Sequence, residues 1–306
     1  MKIRRVGAYG FCRDDQGRVL LARGSATSEF PGTWTLPGGG VEQGEHPDDA
    51  VQREFAEETG LSVRVAALHQ VTADVVRLPS GPLEHTDRII YDVVATGGAL
   101  RDEVDGSTDR VAWATPADLA SWSLLPWTAR LLGRDVPAAP FENDPVAYDE
   151  AEAARRAGRV QRFGAYALAT DPAGRVLLTK IAPGYPGAGR WHLPGGGTDH
   201  GETPEQGLAR ELVEETSQHG RIEALLEVSH RYDPAAVGPE RVPLDWHAIR
   251  VLFRVRIDRP TEPVISEDAG GSTEEARWFT PGAAAALWLT GNARSGLQRL
   301  TVEKVS

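Results

Sequence analysis

The stretch from Gly39 to Leu61, GGVEQGEHPDDAVQREFAEETGL, returns 157 positions later as GGTDHGETPEQGLARELVEETSQ, from Gly196 to Gln218. The copies pair without a gap from Val6 to Leu61. VGAYG at Val6 matches FGAYA at Phe163, GRVLLAR at Gly17 matches GRVLLTK at Gly174, and WTLPGGG at Trp34 matches WHLPGGG at Trp191. Solenoid repeats recur every ~20–50 residues, so a period this long requires two whole domains. A chain of 306 residues agrees, because domains cluster near about 100–150 residues. Past the copies the pairing loosens, although DGSTDRVAW from Asp105 still matches GGSTEEARW from Gly270.

Apolar alternation and β-branched content predict strands near Arg4–Arg13, Arg18–Arg23, Val63–Val75, Arg88–Ala95 and Arg110–Ala114 in the first half. Pro47 opens a helical pattern that Gly60 closes, and a second helix follows Pro116. The second half predicts the same order, with strands near Val160–Thr170, Arg175–Ile181, Ile222–His230, His247–Ile257 and Ala276–Phe279 and a helix from Pro204. This reading gives an N-terminal domain over 1–134, a linker over 135–158 and a C-terminal domain over 159–306. The join contains VPAAPFENDP, too proline-rich and polar for a core element, and then AYDEAEAARRAG, whose helical composition suits a bridge or a solvated linker equally.

Composition narrows the function. A net charge of −11 argues against general nucleic-acid binding, which calls for a basic stripe. No apolar run approaches the roughly 20 residues of a membrane span, and MKIRRVGAYGF has no apolar stretch of signal-peptide type, so a cytoplasmic protein is expected. The single cysteine, Cys12, excludes an intrachain disulfide and reads as a small buried residue.

At about 100° per residue, Glu54, Glu57 and Glu58 share one face of the predicted helix while Val51 and Phe55 point to the core. Glu211, Glu214 and Glu215 repeat the pattern beside Leu208 and Leu212. Like charges at helical spacing repel, and carboxylates in a last turn oppose the helix dipole. A bound cation removes both objections, and all-oxygen ligands suit Mg²⁺ or Mn²⁺. Arg53 stands four residues before Glu57, and Arg210 four before Glu214, where each can hold that carboxylate.

Gly39, Glu45, Arg53, Glu54, Phe55, Glu57, Glu58, Gly60 and Leu61 resemble the Nudix box G-x5-E-x7-R-E-U-x-E-E-x-G-U (U apolar) at every fixed position. The second copy matches with Gly196, Glu202, Arg210, Glu211, Leu212, Glu214 and Glu215, and departs at Ser217 and Gln218. The resemblance implies two Nudix-fold α/β/α sandwich domains with mixed sheets in tandem. It adds the backbone carbonyls of Gly38 and Gly195 as metal ligands, and implies a nucleotide-type small molecule as substrate. The reaction implied is Mg²⁺-dependent pyrophosphohydrolysis of a nucleoside diphosphate linked to another moiety, by attack of a metal-activated water on phosphorus. Glu54 and Glu211 would act as base or ligand; Glu103, Asp105, Glu267 and Asp268 are the alternatives for the base.

Arg23 and Lys180 end the matched GRVLL strands, where the resemblance implies a phosphate contact and the residues alone read equally as surface charge. Trp34 and Trp191 read as buried packing or as the wall of a base pocket. Ser217 replaces a left-handed cap glycine at a cost of about 1 kcal/mol, unless Gly220 caps a longer helix. The competing reading is a nucleotide-sensing or scaffold protein with one or both sites catalytically silent. The intact Glu45, Arg53, Glu54, Glu57 and Glu58 favour the enzyme.

Overall fold

The first acidic helix runs where its punctuation places it. In the computed structural model α1 spans Pro47–Thr59, with the His46 ring accepting from the Asp48 N–H at its start and Gly60 left-handed (φ 73°) at its end. Val51 and Phe55 are fully buried beneath it. Residues 2–136, 158–237, 243–266 and 271–302 are described. The expected linker falls largely on 137–157, outside them, as do Glu267 and Asp268.

Around α1, the first repeat forms β1 (Lys2–Cys12), β2 (Val19–Gly24), β3 (Trp34–Thr35), β4 (Gly38–Gly40), β5 (Leu61–Arg77), β6 (Leu83–Gly98) and β7 (Thr108–Ala114), followed by α2 (Pro116–Ser121) and α3 (Pro126–Leu131). One sheet has the order β4-β1-β6-β5, with β1 and β6 parallel and the other pairs antiparallel; a second has the order β3-β2-β7. Tyr9, Phe11, Leu21, Trp34, Leu36 and Ile90 pack as the core over which the sheets close.

The second repeat forms β8 (Arg159–Thr170), β9 (Val176–Ile181), β10 (Trp191–His192), β11 (Gly195–Gly197), α4 (Pro204–Thr216), β12 (Arg221–Val237), β13 (Pro243–Arg256), β14 (Thr273–Phe279), α5 (Pro281–Ala285) and α6 (Gly291–Val302). Its strands follow the same two orders, β11-β8-β13-β12 and β10-β9-β14, here joined into one seven-stranded sheet through Thr170 and Val176. Its core gathers Leu168, Leu178, Trp191, Leu193 and Leu252. Each repeat is therefore an α/β region of mixed sheet with flanking helices. The chain divides into two compact units, Met1–Gln161 with His230–Ala248, and Arg162–Ser229 with Ile249–Ser306.

Sequence periodicity missed four short strands, β3, β4, β10 and β11, because two or three residues hold no period. It also ended β5, β6 and β12 early. The residues left out hold no apolar alternation, as in exposed Gly97 and Gly98, and they stay extended because a partner strand satisfies their backbone.

Candidate active site

Backbone without side chains sets the floor of each site. Gly38 (φ 140°) and Gly195 (φ 130°) take dihedrals that other residues avoid, and a Cβ on either would lie 2.3 Å from a carbonyl oxygen of the neighbouring strand, Ala8 or Ala165. At Gly39 a Cβ would meet Glu54 Oε1 at 2.6 Å, and at Gly196 it would meet Glu211 Oε1 at 2.6 Å. The glycines thus let a helix carboxylate lie directly against backbone. Pairing of β4 with β1 and of β11 with β8 holds that backbone in place.

One arginine organises each acidic face. Arg53 clamps Glu45 through two parallel bonds, Nε to Oε1 at 2.9 Å and Nη2 to Oε2 at 3.0 Å. Its Nη1 reaches Glu54 at 2.8 Å and Glu57 at 3.2 Å, and its Nη2 donates to the Gly40 carbonyl at 3.0 Å. Arg210 repeats every contact: Glu202 at 2.8 and 3.0 Å, Glu211 and Glu214 each at 3.1 Å, and the Gly197 carbonyl at 2.9 Å. The i,i+4 contact anticipated from sequence is present but is one of five. The clamp on Glu45 and Glu202 carries the geometry, and its signal was the spacing of eight shared by both copies. With so many carboxylates around them, both guanidiniums are held still more firmly protonated than usual.

The third carboxylate of each face turns inward. Glu58 is 5% exposed and accepts from the Gly38 N–H at 2.9 Å; Glu215 is 6% exposed and accepts from the Gly195 N–H at the same distance. Burial pushes Glu58 up to about 8, aided by the nearby Glu54, Glu103 and Glu57 charges. Burial pushes Glu215 up to about 7, with its bond from the Thr273 hydroxyl and the Gly195 amide holding it back. Glu54 and Glu211 are also raised by burial, against the pull of their arginines.

Residues expected at the periphery are differently engaged. Arg23 Nε pairs with Asp109 at 2.7 Å and Lys180 Nζ with Glu274 at 3.2 Å, so both carry a carboxylate partner at the strand end. Trp34 is buried and stacks on Trp122 at 4.0 Å, and Trp191 is buried edge-on to Phe279 at 4.8 Å, so both pack. Glu103 accepts from the Thr108 N–H and hydroxyl, each at 3.0 Å, folded back by the loop that holds Asp105 left-handed (φ 58°).

The second helix does not extend to Gly220. It ends at Thr216, and Ser217 itself takes the left-handed cap (φ 53°), with its N–H on the Val213 carbonyl and its hydroxyl on the Val264 carbonyl at 2.8 Å. Gln218, in place of an apolar anchor, is buried and bonds Thr216 and Thr261 instead. Polar links replace the glycine and the apolar contact.

The residues fit a divalent cation. Two carboxylates of each face, Glu54 with Glu58 and Glu211 with Glu215, lie against glycines where a Cβ would collide, and buried oxygen donors pushed above their ordinary range gain most from a cation. Among the described residues the carboxylates are turned to arginine and amide partners rather than gathered into a ready cage.

The NUDIX domain model matches residues 3–134 and again 160–300. A protein of Escherichia fergusonii named nucleoside triphosphatase NudI is 33% identical over 138 residues, covering 42% of this chain and 89% of the relative. Its namesake from Escherichia coli is 32% identical over 136 residues, with the same coverages. Among solved structures, a MutT NUDIX hydrolase from Burkholderia pseudomallei is 29% identical and superposes with a TM-score of 0.37, covering 45% of this chain and 97% of its own.

Proposed function

The chain belongs to the Nudix family, with two domains of that family in tandem, and we propose that it is a divalent-cation-dependent pyrophosphohydrolase acting on a nucleoside diphosphate linked to a further group. A nucleoside triphosphate is such a compound, so the name of the Escherichia relatives falls within this class. The observation that carries the reading is the duplicated network in which one arginine holds three carboxylates over a glycine floor.

Gly38, Glu54, Glu57 and Glu58 would hold the cation in the first domain, and Gly195, Glu211, Glu214 and Glu215 in the second. Bound Mg²⁺ or Mn²⁺ supplies neutralisation of phosphate charge and acidification of water. Glu54 and Glu211, raised by burial, are suited to take a proton from the attacking water as its oxygen bonds to phosphorus and the bridging P–O bond breaks. Arg53 and Arg210 keep those carboxylates aimed, which removes their rotamer freedom before substrate arrives. Arg23 and Lys180, at matched strand ends, are positioned to trade their carboxylate partners for substrate phosphate.

The test is release of phosphate or pyrophosphate from a nucleotide panel, with products identified by mass. Turnover that needs Mg²⁺ or Mn²⁺ is expected. Undiminished turnover in excess chelator, or none on any nucleotide with cation present, overturns the reading.

A further inference from the structure

We propose that residues 230–237 and 243–248, which lie in the second repeat but belong to the first compact unit, are a positioning strut for the first site: a one-way chain of hydrogen bonds through His247 and His230 holds the turn at 42–46 and, through Glu45, aims Arg53. The inference rests on the catalytic reading above and adds that the first site depends on side chains from the second repeat.

The turn is gripped from outside. Gly44 is left-handed (φ 84°), and a Cβ there would lie 2.9 Å from the Tyr232 ring, so that ring packs directly on the backbone. Gln43 sends its side-chain amide to the Asp245 carbonyl at 2.8 Å and to Asp245 Oδ1 at 3.2 Å, and Gln161 donates to the Val41 carbonyl at 3.0 Å. Glu45 closes the turn from within, its N–H on the Glu42 carbonyl at 3.1 Å and its Oε2 accepting the Glu42 N–H at 2.9 Å. The same carboxylate takes both parallel bonds from Arg53. A drift of the turn therefore moves the clamp, and with it Glu54 and Glu57.

Fixed donors set the direction of the chain of bonds. A backbone amide can only donate, so the Gly44 N–H, 3.2 Å from His247 Nδ1, makes that nitrogen an acceptor, and the Gln161 side chain faces the same atom at 3.2 Å. The neutral His247 ring then carries its proton on Nε2 and donates to His230 Nδ1 at 3.2 Å. That leaves His230 its own proton on Nε2 for the bond it makes to the Glu45 backbone. Both rings are used at both nitrogens.

The surroundings keep the rings neutral. His247 is fully buried, and burial together with the neighbouring His230 and His46 holds it down at about 4, against the pull of Asp245 and Glu45. Burial and His46, edge-on at 4.8 Å, also lower His230, opposed by Asp49 and by its bond to the Glu45 backbone. Asp245 is drawn away by Arg159 at 3.5 Å. A second proton on His247 would turn an N–H against the Gly44 amide, so the strut is whole only while the ring is neutral.

The guanidinium Nε–H signals of Arg53 and Arg210 in nitrogen-15 NMR of the full chain read the two clamps without cation or turnover, with Arg210 as the internal control. His247→Ala should speed solvent exchange at Arg53 Nε–H about tenfold and leave Arg210 unchanged. His247→Asn, whose side-chain oxygen replaces Nδ1 as acceptor for the Gly44 N–H, should restore slow exchange. Gln43→Ala removes the anchor to Asp245 without emptying the core; it should act in the same direction, more weakly, and serves where His247→Ala does not fold. In turnover of a nucleoside triphosphate with the second site disabled by Glu214→Gln, His247→Ala should lower kcat about tenfold at nearly constant KM, and His247→Asn should recover it. Unchanged exchange at Arg53, or an equal change at both arginines, overturns the proposal, as does a kcat that His247→Ala leaves intact. A selective response of Arg53 in a chain that hydrolyses no nucleotide would uphold the strut and overturn the catalytic reading instead, so the two fail separately.

Discussion

Glu58 and Glu215 occupy equivalent positions on their helices, accept the same backbone amide and are equally buried, yet burial leaves one at about 8 and the other at about 7. The difference lies in a threonine. Thr273 turns its hydroxyl to Glu215, whereas Thr108, its counterpart in the first repeat, turns to Glu103 and leaves Glu58 facing an additional carboxylate. A hydrogen bond to the ionised form lowers a carboxylate, and a like charge raises it. The two proposed ligand sets therefore differ in what acts on the buried carboxylate, a hydroxyl bond in the second and an added like charge in the first.

The largest effect should come from the proposed cation ligands. Glu57→Gln and Glu214→Gln keep shape and remove one charge; each should lower kcat/KM of its own site about 10²–10³-fold, and the double variant should be inactive. A single substitution that leaves total turnover unchanged would identify a silent site and break the equivalence of the two boxes.

Next in size is the linkage between pH and the cation. A carboxyl raised in the folded state binds its proton more tightly there than in the unfolded chain, so stability without cation should fall as pH rises from the ordinary carboxylate range, through about 7 for Glu215 and about 8 for Glu58. Binding of Mg²⁺ requires the ionised form, so its gain in melting temperature should grow over the same window and level off above it. Thr273→Val, which removes the hydroxyl bond, should move the onset for the second site upward toward the first. Urea melts with and without Mg²⁺ at pH 5, 7 and 9 read this; a Mg²⁺ gain independent of pH would sink it.

We further propose that 1–134 and 159–306 fold as separate cores. Met1–Arg134 and Arg159–Ser306 expressed alone should each unfold cooperatively. Because the first compact unit also takes in His230–Ala248, Met1–Arg134 should melt below the intact chain. Soluble fragments without a cooperative transition would mean that the copies share a core.

The smallest effects concern the two helix caps. Ser217→Ala keeps the left-handed strain and loses the bond to Val264, at a cost of about 1 kcal/mol. Gly60→Ala should cost more, because its Cβ would also meet the Ala99 carbonyl at 2.6 Å. Equal costs in urea denaturation would show that serine and glycine cap these helices by the same means.

What the sequence alone determined is everything that repeats within a few turns of chain. Pro47 and Gly60 bounded α1 to the residue, Val51 and Phe55 marked its inner face, and Arg53 four residues before Glu57 gave one contact of the polar network. Helical geometry converts such spacings into contacts without help from the rest of the fold. Only the tertiary structure decided how far Glu58 and Glu215 are desolvated, and that Thr273, 58 residues from Glu215, is the side chain that steadies it. Those differences depend on which strand and loop close over the helix, and burial and hydrogen bonding between residues far apart in the chain leave no period to read.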